Sequence, residues 1–221
     1  MTLISLKNIV KVYGKGYIKT YALNGISIDI NEGEMIAIMG PSGSGKSALL
    51  NIIGCIDKPT KGDYILNGNN IHELRQPELA AIRNTNIGFV FQNFNLLNEY
   101  NLIDNVTLPL IYKKGFNGPM KKTAIEILGK VGLKEHANKK PTELSGGQQQ
   151  RVAISRALIT NPSIILADEP TGSLDKKNGK EIMDLLTSIN STGTTIIIIT
   201  HDPCVAKYCS RTIRIEDGLI I

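Results

Sequence analysis

The sequence has no tryptophan and only three cysteines among its 221 residues. Cys55, Cys204 and Cys209 form neither a Cys-x-x-Cys pair nor the spacing of a zinc site. An odd cysteine count argues against a disulfide framework and favours a reducing compartment. The N-terminal residues contain no long apolar stretch, so we expect no signal peptide. The longest strongly aliphatic run, Ile196 to Ile199, falls far short of the roughly 20 residues that cross a bilayer, and we expect no membrane-spanning segment.

The charge balance is mild and excludes little by itself. Lys and Arg number 25 and Asp and Glu 20, which gives a formal net charge of +5. That charge is compatible with nucleic acid, a phosphorylated ligand or an anionic membrane surface. The basic residues occur in scattered pairs rather than in one stripe, which is typical of a solvated surface, and we expect no nucleic-acid partner. At 42% hydrophobic residues, the composition predicts a folded globular chain.

Apolar patterns predict two kinds of strand. Apolar residues alternate from Tyr21 to Ile30, which predicts a half-buried antiparallel strand with Leu3–Val10 pairing nearby. Three short stretches are apolar throughout and predict strands of a parallel sheet: Met35–Gly40, Ser163–Asp168 and Thr194–Thr200.

Helical segments separate these strands. We expect a helix from about Lys46 to Ile56 and a mostly helical region from Arg75 to Lys140, with one strand at Ile87–Phe91 and a break at Gly115–Pro119. The prediction is a single α/β domain with a parallel core, an antiparallel β-subdomain and an inserted helical subdomain. Its expected bounds are 1–221 for the domain, about 1–74 and 163–221 for the core, and about 75–162 for the helical subdomain.

The segment GPSGSGKS fits the phosphate-loop pattern G-x-x-x-x-G-K-[ST], with a predicted strand before it and a helix after it. Glycines allow the backbone N–H groups to face phosphates, Lys46 can reach the β- and γ-phosphates, and the Ser47 hydroxyl can bind Mg²⁺. The motif predicts a P-loop NTPase that binds its nucleotide through Gly40, Pro41, Ser42, Gly43, Ser44, Gly45, Lys46, Ser47 and Ala48.

Polar residues follow the predicted core strands, at the sheet edge where ligands bind. Asp168 can hold Mg²⁺, and Glu169 can polarise an attacking water, although an acidic pair at a strand end also serves as a helix cap. His201 and Gln92 occupy similar edge positions. Tyr13 can stack on a flat base, although a lone tyrosine is more often a core or surface residue.

A second loop, LSGGQQQR from Leu144 to Arg151, is a polar turn with two adjacent glycines before a predicted helix. This is the form of an anion-binding helix start. The loop has no lysine, and the chain already carries one phosphate loop, so the residues alone leave open which phosphate it holds.

In order and spacing these motifs resemble the nucleotide-binding subunit of an ATP-binding-cassette (ABC) transporter, over essentially the whole chain. The resemblance implies ATP and Mg²⁺ as ligands. Tyr13 would stack on adenine, Gln92 would contact Mg²⁺ and water, Glu169 would be the general base, His201 would hold the γ-phosphate and Asp175 would reach the other subunit. Metal binding would fall to Ser47, Gln92 and Asp168, and catalysis to Lys46, Gln92, Glu169 and His201.

The resemblance also implies a use for the second loop. Ser145, Gly146, Gly147 and Gln148 would bind the γ-phosphate of ATP held by a second copy, so that two copies enclose two ATPs. A membrane permease would be the other partner, which places the chain at the cytoplasmic face of the membrane. We expect the partner surface near Phe94–Pro109, although its leucines are also explained by packing within the subdomain.

The finer resemblance is to bacterial macrolide-export, lipoprotein-release and antimicrobial-peptide-export ATPases, through NIIGCIDKPTKGDYILNG, LAAIRNTNIGFVFQNFNLL and NVTLPLIY. Drug, peptide and lipoprotein remain open as substrates. Ala48 departs from the threonine of many relatives, but Ser47 keeps the hydroxyl.

Other ATPase and GTPase classes fit less well. A GTPase needs Asn-Lys-x-Asp, and the nearest string ends in Pro141. Chromosome-maintenance ATPases have a long coiled coil between the two loops, whereas the residues between Ser47 and Leu144 of this chain contain no heptads. Translation factors of the same superfamily carry two ATP-binding cassettes in one chain, and this chain has one. A binding module without activity would be expected to lack Glu169.

Overall fold

The computed structural model describes residues 1–14 and 18–221. Its strands and helices follow in this order: β1 (Thr2–Tyr13), β2 (Thr20–Asn31), β3 (Met35–Met39), α1 (Lys46–Ile53), β4 (Lys61–Leu66), β5 (Asn69–Asn70), α2 (Gln76–Asn86), β6 (Ile87–Phe91), α3 (Leu102–Ile111), α4 (Met120–Lys130), α5 (Gly146–Leu158), β7 (Ile164–Asp168), α6 (Lys176–Ser191), β8 (Thr195–Ile199), α7 (Pro203–Ala206), β9 (Arg211–Glu216) and β10 (Leu219–Ile220).

The first sheet is antiparallel and has the order β2-β1-β4-β5. On β1, Leu6 lies opposite Ile28 of β2 on one side and Tyr64 of β4 on the other. Buried and exposed residues alternate along β2, which confirms the predicted half-buried strand. Strand β4 was not predicted, and it buries only Tyr64 and Leu66, at alternate positions.

The second sheet has the order β10-β9-β3-β8-β7-β6. Five of its strands, β9, β3, β8, β7 and β6, are parallel, and β10 pairs antiparallel with β9 at one edge. The parallel α/β core is therefore confirmed. Strand β6 belongs to this sheet through its pairing with β7, although its residues fall within the range that the sequence analysis assigned to the helical subdomain.

The central strands are apolar throughout because both faces of the sheet are covered. On β7, Ile164 and Leu166 pack into a cluster with α1 and the antiparallel sheet, whereas Ile165 and Ala167 pack against α6. Each fully buried aliphatic side chain of this kind contributes roughly 1.5–3 kcal/mol. The sheet is thus a rigid support for the polar residues at its carboxyl edge.

Helices α3, α4 and α5 form a third cluster beside the core, which contains Val106, Leu128 and Val152. The predicted break at 115–119 lies between α3 and α4, as expected. Helix α1 ends at Ile53 rather than Ile56, because Gly54 follows it and Cys55 has a left-handed φ of 54°. Among the described residues, no helix has both the length and the apolar character to span a membrane.

Candidate nucleotide site

The loop after β3 carries the start of α1 to the carboxyl edge of the second sheet. Gly45 precedes α1 with a φ of 104°, a conformation that favours glycine. A Cβ at this position would lie 2.2 Å from the carbonyl oxygen of Ala22, so a side chain does not fit. The loop leads directly into α1, whose first backbone N–H groups have no partner within the helix. Such a helix start favours an anion.

Lys46 is the first residue of α1 and reaches back over the loop. Its Nζ donates to the carbonyl oxygens of Gly40 at 2.8 Å and Pro41 at 2.6 Å. The hydroxyl of Ser44 is buried and has no hydrogen-bond partner among the described residues. A buried hydroxyl without a partner is unfavourable, and a phosphate oxygen would satisfy it.

Glu169 follows β7 and is held by residues at the end of β8. Its Oε2 accepts from the Thr200 hydroxyl at 3.1 Å, and its Oε1 accepts from the backbone N–H of His201 at 3.0 Å. The Nδ1 of His201 lies 2.6 Å from the same Oε1. The side chain of Glu169 is only 15% exposed, whereas that of His201 is 78% exposed. The carboxylate is thus fixed in place while the imidazole faces outward.

Asp168, the last residue of β7, lies next to two other charges. Burial, together with the negative charge of Glu169, raises the pKa of the Asp168 carboxyl, and the positive charge of Lys46 lowers it in part. A carboxylate whose ionised form is disfavoured by its surroundings is stabilised by a nearby cation. The structure therefore brings the phosphate loop and the acidic pair together.

Gln92 follows β6 and lies beside the loop that carries Glu169. A Cβ on Gly172 would come within 2.8 Å of the Gln92 Nε2, so the two residues are in close contact. The N–H of Gly172 donates to the carbonyl oxygen of Glu169 at 3.0 Å. Strands β6 and β7 are neighbours in the sheet, which explains this proximity.

Tyr13 lies at the end of β1, apart from these groups. Its hydroxyl donates to Asp57 Oδ2 at 3.0 Å, and Lys11 Nζ lies 4.9 Å from the centre of its ring. Burial and the contact with Asp57 raise the pKa of the Tyr13 phenol. Within the described residues, no hydrogen bond joins Tyr13 to the phosphate loop.

The signature loop, which we define as Leu144–Gln148, opens α5. Ser145 caps this helix by accepting from the N–H of Gln148 at 3.4 Å, and Gln148 Oε1 accepts in return from the N–H of Ser145 at 3.0 Å. A Cβ on Gly147 would lie 2.5 Å from Asn178 Oδ1, so the loop packs closely on α6. In the part of the chain that the structure describes, no hydrogen bond joins the signature loop to the phosphate loop.

Asp175 caps α6 beside the signature loop. Its carboxylate accepts from the backbone N–H of Asn178 at 2.8 Å and from Asn178 Nδ2 at 2.7 Å. These hydrogen bonds, the backbone one first, lower the pKa of Asp175. The structure therefore assigns its carboxylate a helix cap, and Asn178, which Asp175 contacts, also packs against Gly147.

Sequence reasoning missed two residues that support the site. The sequence pattern predicts Thr200 only as the end of a strand, yet its hydroxyl donates to the Glu169 carboxylate. Gln150 lies in the LSGGQQQR segment with no predicted role, yet it is fully buried and its amide donates to the carbonyl oxygens of Phe91, the last residue of β6, and Pro170, after β7. A polar residue on the buried face of a helix was the available signal for Gln150.

Comparisons with known proteins agree with this geometry. The family model described as ABC transporter matches residues 23–172. The chain is 51% identical over 223 residues to the uncharacterized ABC transporter ATP-binding protein MJ0796 of Methanocaldococcus jannaschii, covering 98% of this chain and 94% of that protein. It is 49% identical over 219 residues to the uncharacterized ABC transporter ATP-binding protein YknY of Bacillus subtilis, covering 99% and 95%.

A longer relative contains a matching segment. The chain is 48% identical over 225 residues to the macrolide export ATP-binding/permease protein MacB of Syntrophobacter fumaroxidans, covering 100% of this chain and 31% of that protein.

Solved structures are similar over nearly the whole chain. A dimeric post-hydrolysis state of MJ0796 bound to ADP and Pi superposes with a TM-score of 0.90 at 48% identity, covering 98% of this chain and 96% of that one. The cbiO1 protein of Clostridium perfringens, part of the cbiONQ transporter complex, superposes with a TM-score of 0.88 at 30% identity, covering 100% and 87%.

Proposed function

Because the chain belongs to the ABC transporter family, we propose that this ATPase subunit drives the export, or extraction from the membrane, of a drug, a peptide or a lipoprotein through a separate membrane subunit. The similarity to MacB supports export, since that protein is named for macrolide export and unites an ATP-binding part with a permease. The observation that carries the hydrolytic part is the carboxylate of Glu169, held by Thr200 and His201 next to Asp168.

ATP binds within one subunit through the phosphate loop. The backbone N–H groups from Ser42 to Ala48 and the Ser44 hydroxyl donate to phosphate oxygens, and Lys46 supplies the only cationic side chain of the loop. Tyr13 stacks on the adenine ring, since its own ring is partly exposed and offers a flat face. Stacking reads no base edge, so this contact does not select adenine over another base.

The residues at this edge also fit Mg²⁺. The Ser47 hydroxyl, the Gln92 amide oxygen and the Asp168 carboxylate are hard oxygen donors, and Mg²⁺ takes few protein oxygens together with phosphates and water. The raised pKa of Asp168 is further support, since a cation there relieves the repulsion from Glu169. When bound, the ion neutralises negative charge on the phosphoryl oxygens.

Hydrolysis uses the carboxylate of Glu169 and the residues around it. Glu169 accepts a proton from the attacking water, and its two fixed oxygens keep that acceptor in one orientation. Gln92 orients the water, and His201 binds the γ-phosphate. Lys46 stabilises the charge that develops on the transferred group.

The signature loop serves a second copy of the chain. Its Ser145, Gly146 and Gly147 form a helix start that suits a phosphate, yet within the described residues they make no hydrogen bond to the loop of their own subunit. Two MJ0796 structures are dimeric cassettes, which supports the same arrangement here. Two head-to-tail copies then enclose two ATPs, and the dimer opens when the phosphate leaves after hydrolysis, since the MJ0796 cassette is still dimeric with ADP and Pi bound.

The dimer is tested with Glu169→Gln, which keeps the shape of the base but cannot accept the proton. We expect this variant to elute as a dimer on size exclusion with ATP and as a monomer with ADP. Adding Gly146→Asp should abolish the ATP dimer, since two negative charges at close range cost several kcal/mol. Each monomer should still bind ATP. A double variant that dimerises as well as Glu169→Gln would refute the role of the signature loop.

The membrane subunit docks at a groove between the core and the helical subdomain. The groove encloses about 580 Å³ and has an apolar lining that includes Phe89, Leu108 and Pro109, with Arg83 and Arg156 among its polar residues. Arg156 donates to the carbonyl oxygens of Phe94 and Asn95, two residues just after Gln92. Docking here places the chain at the cytoplasmic face of the membrane.

Crosslinking from single cysteines tests this surface. A cysteine at the exposed Tyr112, which lines the groove, should crosslink to the membrane subunit, and one at the exposed Ile65 of the antiparallel sheet should not. The reverse pattern would place the partner on the other face and contradict the proposal.

A further inference from the structure

Gln150 lies in the second turn of α5 and is fully buried. Its Nε2 donates to the carbonyl oxygen of Pro170 at 2.7 Å and, over a longer 3.4 Å, to that of Phe91. Pro170 directly follows Glu169, and Phe91 directly precedes Gln92. One side-chain amide therefore contacts the backbone beside two proposed catalytic residues.

The backbone at Glu169 depends on such contacts. Its φ of 46° lies in the left-handed region, which is uncommon for a residue with a side chain. A conformation of this kind persists where surrounding contacts hold it. The N–H of Glu169 donates to the carbonyl oxygen of Ile199 at 2.9 Å, and the carbonyl oxygen of Glu169 accepts from the N–H of Gly172. The next carbonyl in the chain, that of Pro170, accepts from Gln150.

Packing alone does not explain a glutamine at this position. Its Oε1 is buried and has no hydrogen-bond partner among the described residues, which is unfavourable. An apolar side chain of similar length would remove that cost but would leave the Pro170 and Phe91 carbonyls without this donor. A neutral amide offers two N–H donors on one nitrogen, which suits two carbonyls that lie at the ends of two different strands.

We infer that Gln150 is a positioning residue that couples the signature loop to the catalytic loops of its own subunit. It lies on the helix whose first residues meet the ATP of the second copy, so the inference rests on the proposed function. Movement of α5 on dimer closure is passed through this amide to the carbonyls beside Gln92 and Glu169. The general base then reaches its working orientation when the nucleotide of the second copy is engaged.

Gln150→Met tests the inference, because methionine has a similar length and no donor. We expect kcat to fall by about tenfold or more while the KM for ATP changes by less than about threefold, since the phosphate loop is untouched. In a Glu169→Gln background, Gln150→Met should still form the ATP dimer. Ser155→Ala is the matched control: Ser155 is buried on the same helix and, among the residues that the structure describes, its hydroxyl donates only to the Arg151 carbonyl, so kcat should stay within about twofold.

Gln150→Glu adds a readout that a space-filling role would not change. A buried carboxyl has a raised pKa, and the negative charge of Glu169 acts in the same direction. The protonated carboxyl has one O–H donor and the ionised form has none. The ratio of its kcat to that of the wild type should therefore fall as the pH rises, whereas the ratio for Gln150→Met should be flat. If Gln150→Met does not fold, this pH dependence decides the question.

Three results would overturn the inference. One is wild-type kcat in Gln150→Met, the second is loss of the ATP dimer in parallel with kcat, and the third is a kcat ratio for Gln150→Glu that does not change with pH. Failure of the proposed function would give a different result. In that case Gly146→Asp would leave the ATP dimer of Glu169→Gln intact, whatever the Gln150 variants do.

Discussion

Replacing Thr200 with valine should reveal how much the fixed carboxylate of Glu169 contributes to hydrolysis. Valine keeps the size and branching of threonine, so the fully buried position remains filled. The change removes the hydroxyl that donates to Glu169 Oε2 at 3.1 Å and accepts from the N–H of Asp202 at 3.0 Å. The phosphate loop is untouched.

The expected magnitude follows from these two hydrogen bonds. A hydrogen bond to a charged group contributes about 1.5–3 kcal/mol, and the 15% exposure of the Glu169 side chain leaves little screening by water. Two contacts from His201 remain, so we expect the lower end of that range. At about 1.4 kcal/mol for each factor of ten, kcat should fall about tenfold.

The free energy of unfolding should also fall, because Asp202 loses the acceptor for its N–H. A loss of about 1–3 kcal/mol is expected, and each kcal/mol lowers the Tm of a chain of this length by about 2–4 °C. Thr200→Ser is the matched control, since it keeps the hydroxyl and loses only a methyl group. Its kcat should stay near that of the wild type.

Steady-state ATP hydrolysis at saturating nucleotide, with calorimetric Tm values, measures both effects. The KM for ATP should be unchanged in either variant. If Thr200→Val keeps wild-type kcat, or if Thr200→Ser loses as much as Thr200→Val, then the hydroxyl does not hold the base and the reasoning is wrong.

Three further predictions follow from other parts of the molecule. Lys46→Ala should abolish ATP hydrolysis while the exposed Lys130→Ala does not, and turnover by the first variant would contradict the role of the phosphate loop. Tyr13→Ala should weaken ATP binding by about 1–3 kcal/mol with an ATP/GTP preference near unity, measured by competition with a fluorescent nucleotide. Burial raises the pKa of Cys55 and of Cys209 to about 11, so maleimide at pH 8 should label only the exposed Cys204 quickly. Labelling of Cys209 should become faster as the pH rises, and mass spectrometry showing three rapid labels at pH 8 would refute this.

The sequence predicted correctly those strands and loops whose pattern lies within one short, continuous run of residues. The run from Gly40 to Ser47 carries its own turn geometry, because its glycines allow backbone angles and close approaches that other residues do not. The apolar strands before Glu169 and His201 were predicted because burial on both faces leaves no polar position in them. The resemblance to the ABC family also rests on short ordered motifs, and the matching relatives confirm it.

The sequence was less informative where the pattern was short or the partner distant. Strand β4 buries only Tyr64 and Leu66 on alternating positions, which is too short a pattern to separate from a loop. Strand β6 was placed in a mostly helical region, and only its pairing with β7 assigns it to the core sheet.

The sequence by itself determined which groups the molecule has for phosphate chemistry, whereas the tertiary structure decided which of them meet. Glu169 and Thr200 are separated by a helix along the chain, and they touch because β7 and β8 are adjacent, with Asp168 opposite Ile199. Gln150 reaches the carbonyls of Phe91 and Pro170 only because α5 packs under the ends of β6 and β7. Strand order and register are set by the burial of many side chains together, so no single stretch of sequence encodes these contacts.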